Sequence, residues 1–481
     1  MEANLIILTV RRTFEPSNFQ IDEKDMATIR ATIDPPEDED HKLMNETLTT
    51  LNGHRFASKE FVEYFHANLT DAKFYKGDIP LVVDPTDMEQ IRRMETCFFF
   101  NSSDTLGMRT PAIRGIADLR ELLNEHKMLG QVVMAGDSNH QHEDDYIQPM
   151  RMGQFLKIIE AKNQNKTMNL LQYGVSKTRV ADLFVAPTFV RDESMVERLR
   201  TLKQNHLEAV EFLMHNEVLE TREKKTLAAE KKRLSAEIDE LPTLLQYLII
   251  SQKDSFTGAH VDYAGTCTFV HVVSGKKIFF IVDPAVHPPC LSEPAVSWLE
   301  RIPLEHYRMV EINVGQTLIM KPGVMHFVYT PEDSVMFSGG FILEHHLRHV
   351  FSINEKDERL LKEDAVAMSD VFPRFGPLMF DYVESVVLAE SGESRLTAEK
   401  LAVAETFLDE LNKRARIEDH LWTRNKTPNG KKAIENRRKS IIAKLAAAIR
   451  ASESEDARGA KRAASDADEN EMSAKREKMQ E

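Results

Sequence analysis

The second half of the chain has the hydrophobic pattern of short strands. Apolar and β-branched runs are separated by Pro and Gly turns, with no long helical period between them; they span residues 244–250, 268–273, 277–282, 316–320, 325–329 and 335–343. This pattern predicts a double-sheet barrel of the jelly-roll or cupin type. Such a barrel closes the edges of its sheets and leaves an internal pocket for a metal and small ligands.

A charged stretch at 193–240 follows a helical pattern instead. Leucines recur in it every seven residues, whereas lysines fill the companion positions (Leu227, Leu234 and Leu241 against Lys224 and Lys231). The pattern favours a solvated helical hairpin, and a dimeric coiled coil is the alternative.

A candidate metal site stands out within the strand region. His260 and Asp262 are two residues apart, a spacing that places an imidazole and a carboxylate on one face of a strand, and His326 follows a Lys-Pro-Gly turn at the start of a later strand. Two histidines and one carboxylate can fill one face of an Fe(II) octahedron and leave the other positions open. Because so short a motif also occurs by chance, the surrounding sequence decides whether it indicates a metal site.

Longer segments around these residues carry a family resemblance. They read SFTGAHVDYAGT at 255–266, GQTLIMKPGVMH at 315–326, YTPED at 329–333 and SDTLGM at 103–108, with a further match at 168–178. In their order and in their amino-acid sequence they resemble the JmjC-domain oxygenases. The resemblance is strongest to the histone lysine demethylases whose members often also carry F-box, CXXC or PHD modules. The resemblance covers residues 78 to 410 and implies an α+β fold with a double-stranded β-helix, a cupin-like jelly roll.

The resemblance implies a role for each site residue. His260, Asp262 and His326 would bind Fe(II), while Thr257 and Lys277 would hold the carboxylates of 2-oxoglutarate with Asn169 as a further polar contact. A lysine in a largely apolar strand needs an anionic partner to stay charged. The alternative is a strand-end lysine that reaches solvent, and Lys276 fits that description better.

The chain departs from the family pattern at three places. It has Phe269-Val270-His271 for Trp-Tyr-His, Val324-Met325 for Trp-Ile, and Ser338-Gly339-Gly340 for Gly-Gly-Asn. Each lost polar contact would weaken cosubstrate binding by about 0.5 to 1.5 kcal/mol, which binding can tolerate. The same departures affect the expected geometry of substrate binding more than they affect cosubstrate binding.

Other histidines and the cysteines are given simpler roles. His271 lies in an apolar strand and is expected to be a hydrogen-bonded core residue, and the group at 345–349 (His345, His346, His349) is expected on the surface. Cys97, Cys267 and Cys290 form no CxxC pair, which indicates a reducing compartment and no zinc-finger reader.

Composition agrees with a large intracellular protein. The 481 residues are 42% hydrophobic, and no apolar run or N-terminal pattern predicts a membrane span or a secretory signal. A net charge of -15 argues against wrapping nucleic acid over the whole surface.

We expect six regions along the chain. They are an N-terminal extension (1–77), a mixed α/β support (78–192), the charged helical insertion (193–240), the JmjC barrel core (241–355), a C-terminal helical region (356–420) and a basic, partly disordered tail (421–481).

The resemblance implies the activity of an Fe(II)- and 2-oxoglutarate-dependent histone lysine demethylase. The expected substrate is a histone tail, with H3 methyl-lysine as the first candidate, and it rests on the resemblance only. A JmjC protein hydroxylase and a non-enzymatic chromatin scaffold with a vestigial barrel are the alternatives.

Basic segments suggest further partners and a location. Residues 422–450 carry nine Lys or Arg against one acid, Glu435, so a solvated helix and a contact to DNA or the nucleosome are both open. Basic pairs at 461–462 and 475–478, with a second cluster at 431–439, resemble a signal for an import receptor and predict a nuclear protein.

Overall fold

The computed structural model describes residues 97–101, 106–123, 126–137, 147–161, 167–176, 178–215, 220–262, 265–282, 307–363, 372–389, 396–414, 430 and 432–452. The predictions for the N-terminal extension, for the terminal basic pairs and for Cys290 lie outside the described residues.

The described strands form one antiparallel sheet system. They are β1 Phe98–Phe100, β2 Val132–Asp137, β3 Ile147–Arg151, β4 Met168–Gly174, β5 Tyr247–Ser251, β6 Phe256–Val261, β7 Cys267–Val282, β8 Tyr307–Ile312, β9 Thr317–Met320 and β10 Met325–Phe341. Their order is β1-β9-β7-β10-β5-β4-β2-β3, with β6 on β10 and β8 on β7. The α+β fold of jelly-roll type is thereby confirmed.

Two long strands organise the barrel. The first part of β10 pairs with β6 and with the end of β7, and its second part pairs with β5 and the start of β7. Register shifts between Tyr329 and Met336 separate the two parts. Such irregularities bend a strand, so one strand can serve two differently paired regions. The sequence pattern had divided β7 and β10 into two runs each, because Ser274-Gly275 and Pro331 read as breaks.

Side-chain alternation gives the sheet two different faces. On β5, Leu248 and Ile250 join a large core cluster that includes helix residues such as Phe155. On the other face, Ile249 packs against a second cluster, which consists of strand and turn residues and includes Val270 and Met336. This second face is the barrel interior, and the candidate site is built on it.

Five helices support the first core cluster. They are α1 Ile116–Leu122, α2 His126–Leu129, α3 Met152–Glu160, α4 Val180–Leu183 and α5 Thr188–Glu193. A 3-10 turn at Glu344–His346 and α8 Leu347–Glu363 follow β10. The predicted helix at 152–161 is confirmed as α3, whose buried residues lie three or four apart (Met152, Phe155, Leu156, Ile159).

The chain divides into two compact units, Met1–Arg198 with Leu241–Phe372 and Leu199–Glu240 with Pro373–Glu481. The second unit is helical in its described part. It contains most of α6 Met195–Met214, then α7 Thr221–Glu240, α9 Phe372–Tyr382 from its second residue onward, a π-helical turn at Val383–Val387, α10 Ala398–Arg414 and a helix, α11, at 432–452.

Ion pairs connect the helices of the second unit. Lys231 pairs with Glu211 at 2.9 Å, and Lys203 pairs with Glu237 at 2.6 Å, so α6 and α7 form the predicted hairpin. Lys203 also reaches Asp381 of α9 at 3.1 Å. The hairpin is therefore connected to α9 of the same unit. None of the helices in the described part of the chain is long and apolar enough to cross a membrane.

Candidate metal centre and lysine chamber

Three potential metal ligands meet in the barrel. His260 lies near the end of β6 and Asp262 follows that strand, while His326 lies directly opposite His260 at the start of β10. One nitrogen or oxygen from each of the three residues lies within 4.8 Å of the others. The oxygen Oδ1 of Asp262 is 3.8 Å from Nε2 of His260 and 4.0 Å from Nε2 of His326.

Backbone carbonyls favour one tautomer of both imidazoles. Nδ1 of His260 donates to the carbonyl of Gly258 at 2.8 Å, and Nδ1 of His326 donates to the carbonyl of Val324 at 3.1 Å. A neutral imidazole that donates through Nδ1 keeps Nε2 as a lone-pair donor for a metal. Burial, reinforced by the nearby His326, lowers the pKa of His260 to about 4, so this ring is neutral at pH 7.

The donor set fits Fe(II). Two Nε2 atoms and one carboxylate oxygen within reach of one ion are the ligands of a two-histidine, one-carboxylate facial site. Among the described residues this is the single group of three or more His, Cys, Asp or Glu that could hold a metal ion.

A second polar group surrounds Lys277 of β7. Its side chain is 1% exposed, and its Nζ donates to Ser251 Oγ at 2.5 Å and to Thr330 Oγ1 at 2.8 Å. Ser251 Oγ donates to Asn169 Oδ1 at 2.7 Å, and Asn169 Nδ2 donates to Thr257 Oγ1 at 3.1 Å. We call these five residues the lysine chamber.

Burial without a counter-charge dominates the chemistry of the chamber. In the described part of the chain, the groups bonded to Nζ are hydroxyls and not carboxylates. Burial lowers the pKa of Lys277 to about 7. Lys276 behaves differently, since it is partly exposed and pairs with Glu311 at 3.1 Å, as expected of the solvated neighbour.

The structure therefore brings together all six predicted site residues in two groups. Thr257 and His260 lie three residues apart on β6, which links the lysine chamber to the metal ligands. Sequence reasoning missed Ser251 and did not single out Thr330. The available signal for Ser251 was a polar residue in the otherwise apolar strand Tyr247–Ser251, at the alternation of the barrel interior.

The histidines outside the site give a mixed result. His271 is 1% exposed and its Nδ1 is 2.8 Å from Thr317 Oγ1, so the predicted core role is confirmed. The surface assignment was wrong for His346, which is buried because its 3-10 turn packs its side chain inward, whereas His345 and His349 are exposed. Cys97 and Cys267 are buried.

Fold and site together describe a jelly-roll barrel protein with a candidate two-histidine, one-carboxylate metal site. No family model matches the chain. Its relatives include Lysine-specific demethylase 2B of Mus musculus (25% identical, covering 60% of this chain and 21% of that protein) and Histone lysine demethylase PHF8 of Danio rerio (24%, 56% and 23%). JmjC domain-containing histone demethylation protein 1 of Saccharomyces cerevisiae is 28% identical over 48% of this chain and 42% of that protein.

These comparisons confirm the resemblance, and the chain is related to the JmjC-domain histone lysine demethylases. It spans less than half the length of each of these three relatives.

Proposed function

We propose that this chain is an Fe(II)- and 2-oxoglutarate-dependent dioxygenase that removes methyl groups from a histone lysine. The observation that carries the proposal is the pairing of two sites in one barrel. A metal-type triad lies in the same barrel as a buried lysine that has hydroxyl partners but no counter-anion in the described part of the chain.

The triad would hold iron on one side and leave the other side accessible. His260, Asp262 and His326 occupy one face, and their backbone hydrogen bonds keep the two Nε2 atoms aimed inward. Bound iron with 2-oxoglutarate and dioxygen would supply the oxidising chemistry, in which 2-oxoglutarate loses carbon dioxide and takes one oxygen atom to become succinate, while the other oxygen atom hydroxylates an N-methyl group. The hydroxylated methyl group then leaves as formaldehyde.

The lysine chamber would bind the distal carboxylate of 2-oxoglutarate. Protonated Lys277 has a third N–H beyond the two that it gives to Ser251 and Thr330. A charge-assisted hydrogen bond from that N–H to a carboxylate would offset the cost of burying the ammonium. Thr257 would add a hydroxyl contact, and Asn169 orients Thr257 through its amide.

The substrate is proposed from the relatives, three of which carry demethylase or demethylation in their names. A histone H3 methyl-lysine is our first candidate. The test is to incubate the purified chain with a panel of methylated histone peptides, iron and 2-oxoglutarate, and to measure peptide mass and succinate. Loss of a methyl mass with formaldehyde release supports the proposal, and a gain of one oxygen would show a protein hydroxylase instead. If no peptide changes mass and no succinate forms, the chain is a scaffold rather than an enzyme.

We also propose a nuclear location, with an import receptor recognising the tail and a contact to DNA or the nucleosome through 422–450. The helix at 432–452 limits which residues can serve. Arg437 pairs with Asp381 at 2.5 Å and with Glu384 at 2.6 Å, and Arg438 pairs with Glu435. Lys432, Lys444 and Arg450 are exposed, so they are more suitable for phosphate contacts than the paired Arg437 and Arg438. Removing residues after Arg450 and neutralising the 431–439 cluster should leave a tagged protein in the cytoplasm; unchanged nuclear accumulation would refute both signals.

A further inference from the structure

Ser251 connects the two sides of the lysine chamber. It ends β5, with Asn169 of β4 opposite it on one side and Ser334 of β10 opposite it on the other. Its side chain is fully buried and makes two hydrogen bonds, one from Lys277 Nζ at 2.5 Å and one to Asn169 Oδ1 at 2.7 Å. No other residue in the described part of the chain hydrogen-bonds to both Lys277 and Asn169.

With Lys277 protonated, as it is when an anion is bound, the direction of these hydrogen bonds is fixed at both ends. A charged lysine Nζ only donates, so Ser251 Oγ accepts from Lys277 and gives its own proton to Asn169. The carbonyl of Phe256 only accepts, and at 3.4 Å it holds the amino group of Asn169 on the side of Thr257. Asn169 therefore donates to Thr257 Oγ1, and the proton of Thr257 is left for another acceptor.

This arrangement makes the chamber a set of donors. Thr330 Oγ1 likewise accepts from Lys277, and its own proton has no acceptor among the described residues. The chamber therefore presents three donors without an acceptor among the described residues, namely the third N–H of Lys277 and the hydroxyl protons of Thr257 and Thr330. A carboxylate, which only accepts, matches this set, whereas a neutral amide would bring N–H groups against donors.

We propose that Ser251 is a positioning residue for cosubstrate binding, because it joins Lys277 to Asn169 and Thr257 in one directed hydrogen-bond chain and so selects an anionic ligand. The inference rests on the proposed function, since 2-oxoglutarate is the ligand considered. Ser251 acts through Lys277 and Asn169, and it need not touch the ligand.

The chain supplies a matched control. Ser334 lies directly opposite Ser251, is equally buried, and its Oγ has no hydrogen-bond partner. Ser334→Ala removes the same hydroxyl from the same depth without breaking a bond. Ser251→Cys keeps nearly the same volume but replaces a strong hydrogen-bonding group by a weak one, so it separates lost hydrogen bonds from lost packing.

The experiment measures binding by calorimetry to the full chain loaded with Mn(II), a redox-stable stand-in for Fe(II). The ligands are 2-oxoglutarate and 2-oxoglutaramate, in which the distal carboxylate is an amide. Ser251→Ala and Ser251→Cys should each weaken 2-oxoglutarate binding by about tenfold, the effect of one lost net hydrogen bond. Both variants should also lower the ratio of the affinity for 2-oxoglutarate to the affinity for 2-oxoglutaramate. Ser334→Ala should stay within about twofold of wild type in 2-oxoglutarate affinity and in this ratio.

Several results would overturn the inference. Full affinity and full selectivity in Ser251→Ala would do so, as would recovery of both in Ser251→Cys, which would show a packing role. Equal losses in Ser251→Ala and Ser334→Ala would point to general loosening of the barrel. If the wild-type chain binds Mn(II) but neither ligand, the proposed function itself is wrong, and the inference falls with it.

Discussion

Two buried lysines in this molecule have opposite surroundings. Lys203 in the helical unit is 9% exposed and lies 2.6 Å from Glu237 and 3.1 Å from Asp381. Lys277 in the barrel is 1% exposed and contacts hydroxyl groups. The first lysine has two counter-charges from its own unit, and the second has none within salt-bridge distance in the described part of the chain.

The difference separates a structural charge from one suited to a ligand. Burying an ammonium group is costly unless it is paired, so the two carboxylates beside Lys203 complete a network that joins helices. At Lys277 the same cost lowers the pKa to about 7, and an incoming anion would supply the missing partner. Buried charge alone is therefore a poor guide to function, and the partners of that charge are a better one.

The largest expected effect comes from removing a metal ligand. Asp262→Ala should abolish iron-dependent succinate formation, since it removes the only carboxylate of the triad, and should leave a folded protein with the lysine chamber intact. Turnover and metal content are measured together, with circular dichroism as the control for folding. Full turnover by an iron-loaded variant would show that the triad is not the metal site.

The next effect tests the unpaired lysine directly. Lys277→Ala should raise the 2-oxoglutarate concentration needed for half-maximal binding by roughly 10- to 100-fold, the loss expected for one charge-assisted contact. Lys276→Ala is the matched control, because Lys276 is the neighbouring residue but pairs with Glu311. If the two variants bind alike, the anion is held elsewhere.

A smaller effect should appear as a pH dependence. Because the pKa of Lys277 is lowered to about 7, the unfolded chain holds more protons on this residue than the folded chain between about pH 7 and its ordinary value of 10.5. Without ligand, the contribution of Lys277 to stability should therefore rise with pH across that window. A carboxylate binds the protonated form, so its affinity should fall above pH 7 by up to about tenfold per pH unit.

Calorimetric titrations with 2-oxoglutarate between pH 6 and pH 9 measure this trend, and they should show proton uptake on binding near pH 8. The same titrations on Lys277→Ala should lose the dependence. A flat profile in the wild-type chain would mean that Lys277 is charged throughout.

The smallest expected effect concerns the paired lysine. Lys203→Ala should lower the free energy of unfolding by about 1 kcal/mol, because it removes the cation that joins Glu237 to Asp381 while Arg233 still pairs with Glu237 and Arg437 with Asp381. Binding of 2-oxoglutarate should be unchanged. Urea unfolding and calorimetry test the two statements separately, and a loss of ligand affinity without loss of stability would contradict the structural role.

Part of the barrel and its candidate metal ligands could be predicted from the sequence. Apolar runs predicted β5, β7, β9 and β10, because a strand pattern depends on residues close together along the chain, and the His-x-Asp spacing with the turn before His326 pointed to the triad. Strands β1 to β4 and β8 were not located individually, although a mixed helix and strand support was expected at 78–192. Three residues in β1 and a weak alternation in β8 give little local signal.

What the sequence determined by itself about this protein is the chemistry available at each position: the strand pattern, the three ligands and a lysine placed in an apolar strand. Only the tertiary structure decided which of its polar residues work together. Ser251 is joined to Lys277 because β5, β10 and β7 pair side by side, and Lys203 is neutralised by a residue far away on α9. The physical reason is that the cost of a buried charge depends on neighbours brought close by folding, and strand register and helix packing choose those neighbours.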